Sequence, residues 1–151
     1  MPLPKTILVP TDFGTSSDHA IAYATDLAKA LGAELVIMHA WEIPILGFPD
    51  GAFIASAELA TRVLEAAQQG LNDAMKLVEG KGVSSRGLLK QGPTWQMIID
   101  TSKEVKAGMI VMGTHGRHGL PRALLGSVAE KVVRTAHTPV LTVHVDDRTE
   151  A

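Results

Sequence analysis

The chain has 151 residues, of which 46% are hydrophobic and 20% are charged, and its formal net charge is −2. This composition excludes a disordered polymer, and the small negative charge leaves no overall basic field to attract nucleic acid or an anionic membrane. The length predicts a single domain over residues 1–151. With no cysteine, no signal peptide and no apolar run near the ~20 residues that span a bilayer, the sequence predicts a cytoplasmic protein.

The first elements in chain order alternate between strand and helix. The apolar run Lys5–Pro10 predicts a buried strand that ends at its proline. Apolar residues then recur at helical spacing, with Ser16 or Ser17 as the expected N-cap and Gly32 after the last turn. A second apolar run, Glu34–Ala40, predicts the second strand.

The middle of the chain begins with Trp41–Ala55, whose prolines and glycines predict a loop of unusually apolar composition. A mobile lid, an apolar surface covered by a partner chain, or plain packing would each account for it. A long helix is expected from about residue 56 to 79, followed by a weaker strand around Arg86–Lys90. The next helix is expected between Pro93, near its first turn, and Gly108, after its end.

The last elements are a strand at Met109–Met112, a helix over Gly126–Ala136 and a strand at Pro139–Val145. Strands thus alternate with helices. The inner strands are apolar throughout rather than at every second position, which is typical of parallel strands covered on both faces. The sequence therefore predicts a doubly wound, Rossmann-like α/β fold, with five parallel strands in the order 3-2-1-4-5 and helices on both faces.

That strand order places the first and fourth predicted strands side by side, at the point where the winding direction reverses. Ligands of open α/β sheets bind at this point, outside the carboxyl ends of the strands. The loop Pro10–Asp12 leaves the first strand there, and the loop Gly113–Gly116 leaves the fourth. A ligand-binding crevice is therefore expected between these two loops.

The second loop opens a glycine-rich stretch with the pattern G-x2-G-x9-G-S, formed by Gly113, Gly116, Gly126 and Ser127. Glycine permits positive φ and a close approach of backbone N–H groups to a ligand, and the N-terminus of the following helix favours an anion. No acidic residue lies between residues 105 and 129, so the charge balance suits phosphate. The pattern is neither a Walker loop nor the G-x-G-x-x-G dinucleotide fingerprint.

The stretch "MGTHGRHGLPRALLGSVAEKVVRTAHTPVLTV" resembles the ATP-binding class of the universal stress protein family, and "ILVPTDF" resembles the other half of that family's site. The resemblance covers nearly the whole chain and includes the order of the elements. It implies that adenine and ribose lie beside Pro10, Thr11, Asp12 and Ala40. It implies further that the ribose and phosphates are lined by Met112, Gly113, His115, Gly116 and Arg117, and that phosphate is bound by Gly126, Ser127 and Val128.

Several of these residues also have plain structural explanations. Asp12 could cap the first helix or form an Asx turn, or it could contact the base, the ribose or a metal ion on the phosphates. Ser127 could donate its hydroxyl to phosphate while also capping its helix. His115 and His118 are too few ligands for a zinc site, so a hydrogen bond from His115 to phosphate is favoured. Arg117 is either a phosphate ligand or surface charge. The remaining histidines are expected to be structural: His19, His39, His137 and His144.

Three functions remain open. The favoured one is a stress-response regulator that binds ATP with Mg²⁺ between the two loops. The second is a slow ATPase or a phosphoryl or nucleotidyl transferase, although the sequence shows neither a dedicated lysine nor a carboxylate cluster for phosphoryl transfer. The third is a dimeric adaptor that ignores nucleotide. No catalytic residue is assigned, and no nucleic-acid or membrane partner is expected.

The last predicted strand, Pro139–Val145, falls at the edge of the sheet in this order. An exposed apolar edge is a liability that pairing with another chain would remove. The family resemblance implies a homodimer formed through this strand, and the alternative is an edge shielded by the chain's own C-terminal tail.

Overall fold

A parallel sheet organises the computed structural model, which describes residues 2–43, 46–47, 53–54, 57–115 and 125–145. In chain order the elements are β1 (Thr6–Pro10), α1 (Thr15–Leu31), β2 (Glu34–Trp41), β3 (Leu46–Gly47), β4 (Phe53–Ile54), α2 (Ala57–Lys76), β5 (Ser85–Gln91), α3 (Thr94–Glu104), β6 (Met109–Gly113), α4 (Ser127–Thr135) and β7 (Val140–Val143). Five strands pair in parallel in the order β5-β2-β1-β6-β7, and β3 and β4 form a separate antiparallel hairpin. Without the hairpin strands this is the order 3-2-1-4-5, so the predicted fold is confirmed.

The strands of the sheet are apolar throughout because helices cover both of its faces. Ile7 and Val9 of β1 pack on one face, in a core that includes Leu71 of α2 and residues of α1. Leu8 lies between them, points to the other face and packs with Ile98 of α3 and residues of α4. Each side chain of this size that is fully buried contributes roughly 1.5–3 kcal/mol to folding. The packing therefore explains why the sequence pattern is continuous rather than alternating.

The two ends of α1 differ in how well the sequence predicted them. The N-cap is Gly14 and makes no side-chain capping bond, so the expectation that Ser16 or Ser17 caps this helix is wrong. The Ser17 hydroxyl instead donates to a carboxylate oxygen of Asp12 in the preceding loop. At the other end Gly32 adopts φ 67°, the left-handed conformation that ends many helices, as predicted.

Other element boundaries also differ from the predicted ones. The segment predicted as a loop, Trp41–Ala55, contains the short hairpin of β3 and β4, while residues 44–45, 48–52 and 55–56 lie outside the described part of the chain. Helix α2 ends at Lys76 rather than near Glu79, because a turn that includes Gly80 at φ 76° follows it. The final strand is shorter than predicted but lies at the edge of the sheet, as expected.

The strand order brings the carboxyl ends of β1 and β6 together. β1 ends at Pro10 and β6 ends at Gly113, so the loops after both strands leave the same edge of the sheet. The N-termini of α3 and α4 lie at this edge as well, because each helix follows a strand that ends there. Within the described ranges, no helix combines the length and the hydrophobicity needed to cross a bilayer.

Candidate functional site

A cavity of about 570 Å³ opens at the carboxyl ends of β1 and β6, where the winding direction of the sheet reverses. It is lined by ten residues that the sequence analysis placed in the ligand site: Pro10, Thr11, Asp12, Ala40, Met112, Gly113, His115, Gly126, Ser127 and Val128. Two others, Gly116 and Arg117, lie outside the described residues. The sequence analysis missed six further lining residues: Ser17, Met38, Thr94, Ile98, Thr114 and Ala129.

Asp12 organises the loop between β1 and α1. Its Oδ1 accepts hydrogen bonds from the Gly14 N–H at 2.9 Å and from the Ser17 hydroxyl at 2.8 Å. The Asp12 N–H donates in turn to the Ser17 hydroxyl oxygen at 3.1 Å. Asp12 therefore has the turn-forming role that the sequence left open. That role occupies Oδ1 alone, so a ligand role for the carboxylate stays a prediction.

The aromatic rings of Phe13 and His39 stabilise this loop. Phe13 has φ 67°, and its N–H donates to the Thr11 hydroxyl oxygen at 3.0 Å. The His39 ring lies against the Phe13 ring with a centroid separation of 4.1 Å, and its Nδ1 donates to the Thr11 carbonyl at 2.8 Å. His39 is thus structural, as expected, and its side chain ties the Thr11 carbonyl to β2.

The backbone of Ala40 presents a donor and an acceptor to the cavity. Backbone groups alternate in direction along a strand, and Met38 faces β1, because its carbonyl accepts from the Thr11 N–H at 2.8 Å. Ala40, two residues on, therefore faces the same side, beyond Pro10 where β1 ends. Ala40 thus faces away from β5, and within the described ranges no backbone hydrogen bond joins its N–H or its carbonyl to the loop after β1. One residue thus offers a paired donor and acceptor in a cavity wall.

Thr114 and His115 connect the loop after β6 to α4. Thr114 is 1% exposed, and its hydroxyl forms a 2.9 Å hydrogen bond with His115 Nδ1. The Thr114 carbonyl accepts from the Gly126 N–H at 2.7 Å. The other ring nitrogen of His115, Nε2, is buried at the cavity and lacks a partner among the described residues. A buried polar atom of this kind is costly unless a ligand or water satisfies it.

For Gly113 and Gly126 the structure tests one of the two expectations for these glycines, positive φ. Neither Gly113 nor Gly126 has positive φ, and Gly126, at φ −60° and ψ 158°, has a conformation that any residue can adopt. At Gly113 the reason for glycine is packing, since a Cβ there would lie 3.0 Å from the backbone of Ser16 and nearer still to its hydroxyl. The positive φ that glycine permits is therefore not used at these two positions, and the close approach of their backbone N–H groups to a ligand stays a prediction. The backbone conformation of Gly116 cannot be compared, because that residue lies outside the described residues.

The N-terminus of α4 points its free backbone donors into the cavity. Gly126 is the N-cap, and no side chain caps the helix, so the expectation that Ser127 caps it is wrong. The first three N–H groups of a helix have no partner within it, and here they belong to Ser127, Val128 and Ala129. All three residues line the cavity. Such a helix end carries a partial positive charge and favours an anion.

Charge in the cavity is sparse. Asp12 supplies the one carboxylate in the described lining, and no lysine or arginine contributes to that lining. Partial burial raises the pKa of the nearby Asp18 carboxyl, the Asp12 charge raises it further, and His19 lowers it. Across the described ranges, no cluster of three His, Asp or Glu side chains is placed to hold a metal ion by itself.

Comparisons with known proteins agree with this architecture. Residues 4–144 match the model of the universal stress protein family. Universal stress protein MJ0531 of Methanocaldococcus jannaschii is 37% identical over 141 residues, covering 92% of this chain and 81% of the relative. The solved structure of MJ0577, from the same organism, is 26% identical with a TM-score of 0.78, covering 94% of this chain and 96% of the other. A universal stress protein in complex with cAMP is 27% identical with a TM-score of 0.71, covering 95% and 98%.

Proposed function

The chain belongs to the universal stress protein family, and from that premise we propose that it is a stress-response regulator that binds ATP with Mg²⁺ in the cavity between β1 and β6. The observation that carries the proposal is the position of α4, whose uncapped N-terminus directs three free N–H groups into a cavity at the switch point of the sheet. A relative 27% identical to this chain is in complex with cAMP, which is an adenine nucleotide.

The adenine end of the ligand is assigned to the wall formed by Ala40. Adenine carries an N6 amino donor next to the N1 acceptor, and the free carbonyl and N–H of Ala40 complement that pair. The apolar side chains of Met38 and Ile98 line the same cavity and suit the faces of a base. Guanine reverses the donor and acceptor on this edge, so we expect a preference for adenine nucleotides.

The phosphate end is assigned to the α4 N-terminus and His115. The backbone N–H groups of Ser127, Val128 and Ala129 supply donors, and the exposed Ser127 hydroxyl adds another. His115 Nε2, buried without a partner among the described residues, supplies a further polar contact. Gly116 and Arg117 remain candidate phosphate contacts by their place in the sequence pattern.

The residues present also fit Mg²⁺ bound together with phosphate. Mg²⁺ is commonly held by one or two carboxylates plus the phosphates of a nucleotide, and Asp12 offers one carboxylate at the cavity. When bound, the ion would neutralise part of the phosphate charge. This donor set fits binding and regulation better than efficient phosphoryl transfer, which requires further charged groups.

The direct test is recovery of bound nucleotide. Purified protein is incubated with ATP or GTP and Mg²⁺, freed of unbound ligand and denatured, and the retained nucleotide is identified by chromatography over time. Retained ATP is the expected result. Conversion to ADP or AMP would favour a slow enzyme instead, and failure to bind even at millimolar ATP in a direct titration would favour a nucleotide-independent adaptor.

Substitution of Gly126 locates the site. Because its backbone conformation suits any residue and the position is buried at the cavity, Gly126→Val should place two methyl groups where the ligand lies. We expect ATP affinity to fall more than about tenfold while the melting temperature changes little. Val133→Ala, an exposed change on α4, is the matched control. Retained affinity in Gly126→Val would contradict the assignment.

A further inference from the structure

The proposed site lacks a cation among its described lining residues. ATP carries about four negative charges in water at neutral pH, and burying such charge without compensation is costly. The described lining contributes one carboxylate, no lysine and no arginine. The N-termini of two helices offset part of this charge, because each carries roughly half a positive charge. A cation close to the site would offset more.

Lys131 is placed to be that cation. It lies four residues after Ser127 on α4, so the two residues share one face of the helix. Side chains on a helix lean towards its N-terminus, which directs Lys131 towards the end that lines the cavity. Its carboxylate neighbour Glu130 is already paired with Arg134 at 2.8 Å. Within the described ranges, no acidic side chain forms an ion pair with Lys131.

Trp95 holds the Lys131 ammonium near that end. The Lys131 Nζ lies 5.6 Å from the centroid of the Trp95 ring, within the range of a cation–π interaction. Trp95 is in the first turn of α3, directly after Thr94, which lines the cavity. The ammonium therefore lies at the seam between α3 and α4, next to the two helix ends that border the site.

We propose that Lys131 is an electrostatic partner of the bound phosphates and that Trp95 is the positioning residue that keeps its ammonium on the cavity side of α4. This inference rests on the proposed function. In a Walker loop, a lysine within the motif provides the positive charge for the phosphates. Here a side chain outside the glycine pattern would provide it. The Lys131 ammonium would contact the indole face of Trp95 in the free protein and a phosphate in the bound protein. It would therefore be close to a negative partner in both states.

The test compares ATP with adenosine, which keeps the base and ribose but has no phosphate. Calorimetric titration of the full chain is carried out at low and high salt. Lys131→Gln should weaken ATP binding by roughly five- to tenfold at low salt and leave adenosine within about twofold. The effect should shrink at high salt because the contact is solvent-accessible. Lys131→Arg should restore most of the ATP affinity, since it restores the charge.

Matched variants separate charge from structure. Lys103→Gln, in the last turn of α3 at the far end from the cavity, changes the net charge by the same amount and should leave both ligands unaffected. Trp95→Leu should weaken ATP more than adenosine, and Lys131→Gln should then cost less in the Trp95→Leu background.

The outcomes are distinct from those of the proposed function. If the unaltered chain binds neither ATP nor adenosine, the proposed function fails and this inference fails with it. If it binds both, and Lys131→Gln changes neither affinity or weakens both equally, this inference alone is overturned.

Discussion

Asp12 forms the turn after β1, and a ligand role is predicted for the same carboxylate, so substitution can separate the two. Asp12→Asn keeps an oxygen that can accept from Gly14 and Ser17, so we expect the free energy of unfolding to change by less than about 0.5 kcal/mol. Asp12→Ala removes that acceptor and should lower it by roughly 1–2 kcal/mol. Urea unfolding measures both values.

Ligand binding then tests the second role of Asp12. If the carboxylate contacts ribose or Mg²⁺, Asp12→Asn should weaken Mg-ATP binding about tenfold despite the intact turn. Asp26→Asn, the same change at an exposed position of α1 outside the described cavity lining, is the control. Unchanged affinity in Asp12→Asn would restrict Asp12 to the turn that the structure shows.

We expect Asp18 to make the stability of the fold depend on pH. Burial first, and then the Asp12 charge, raise the pKa of this carboxyl, and these effects outweigh His19. A carboxyl with a raised folded-state pKa favours folding most below its unfolded pKa, and this contribution is lost as pH rises through the folded pKa. Asp18→Asn should therefore raise the melting temperature at pH 7 and converge with the parent chain near pH 3.

A control on the same helix tests that interpretation of Asp18. Asp26→Asn removes another exposed carboxyl of α1, one that is not among the causes of the raised pKa of Asp18. Thermal unfolding of both variants from pH 3 to pH 7 is the measurement. A gain from Asp18→Asn that persists at pH 3 would assign the effect to something other than its charge.

At the scale of elements, α2 is coupled to the loop after β1 through one glycine. A Cβ at Gly70 would lie 2.6 Å from Cδ2 of Phe13, whose ring is already packed against His39. Helix propensity alone would make Gly70→Ala stabilising by about 1 kcal/mol. The steric conflict costs roughly 1–3 kcal/mol, so we expect a net loss and a weaker affinity for ATP as the loop shifts.

A double variant tests the contact between Gly70 and Phe13. In a Phe13→Ala background the conflict is absent, and Gly70→Ala should then stabilise α2 as its propensity predicts. Urea unfolding of the four proteins gives the coupling. Equal effects of Gly70→Ala in both backgrounds would show that the two elements are independent at this point.

At the scale of the whole molecule, the open question is what covers the edge strand β7. The Pro139 carbonyl accepts from the Ile110 N–H, so by alternation Leu141 faces β6 while the Thr142 backbone faces outward. We propose that a second copy of the chain pairs with this outward edge. Thr142→Pro removes an outward N–H without breaking the ladder to β6, and should convert a dimer into a folded monomer.

Light scattering coupled to size exclusion measures the oligomeric state. Leu141→Pro is the matched comparison, because it removes an N–H that the ladder with β6 uses and should destabilise the fold itself. A chain that is monomeric without any substitution, or a Thr142→Pro variant that remains dimeric, would contradict pairing through the outward edge.

The sequence was sufficient for the fold because its signals are local and repeated. Continuous apolar runs such as Glu34–Ala40 indicate strands buried on both faces, and their alternation with helical segments restricts the topology to a few arrangements. The order of strands then predicts the place of the site before any contact is known. The same reasoning could have placed Thr94 at the site, since Gly92 and Pro93 mark a helix that starts at the carboxyl edge of the sheet.

Only the tertiary structure decided which residues meet across that edge. Gly113 is required by contact with Ser16, some 100 residues away in sequence, rather than by its own backbone conformation. The free donor and acceptor of Ala40 exist because β1 stops short of it, and the Lys131 ammonium lies over a ring that belongs to the adjacent helix, that of Trp95. Periodicity and turn chemistry depend on residues that are close in sequence, so they can be recognised in the sequence. These contacts depend instead on how separate elements pack, and packing leaves no local pattern in the chain.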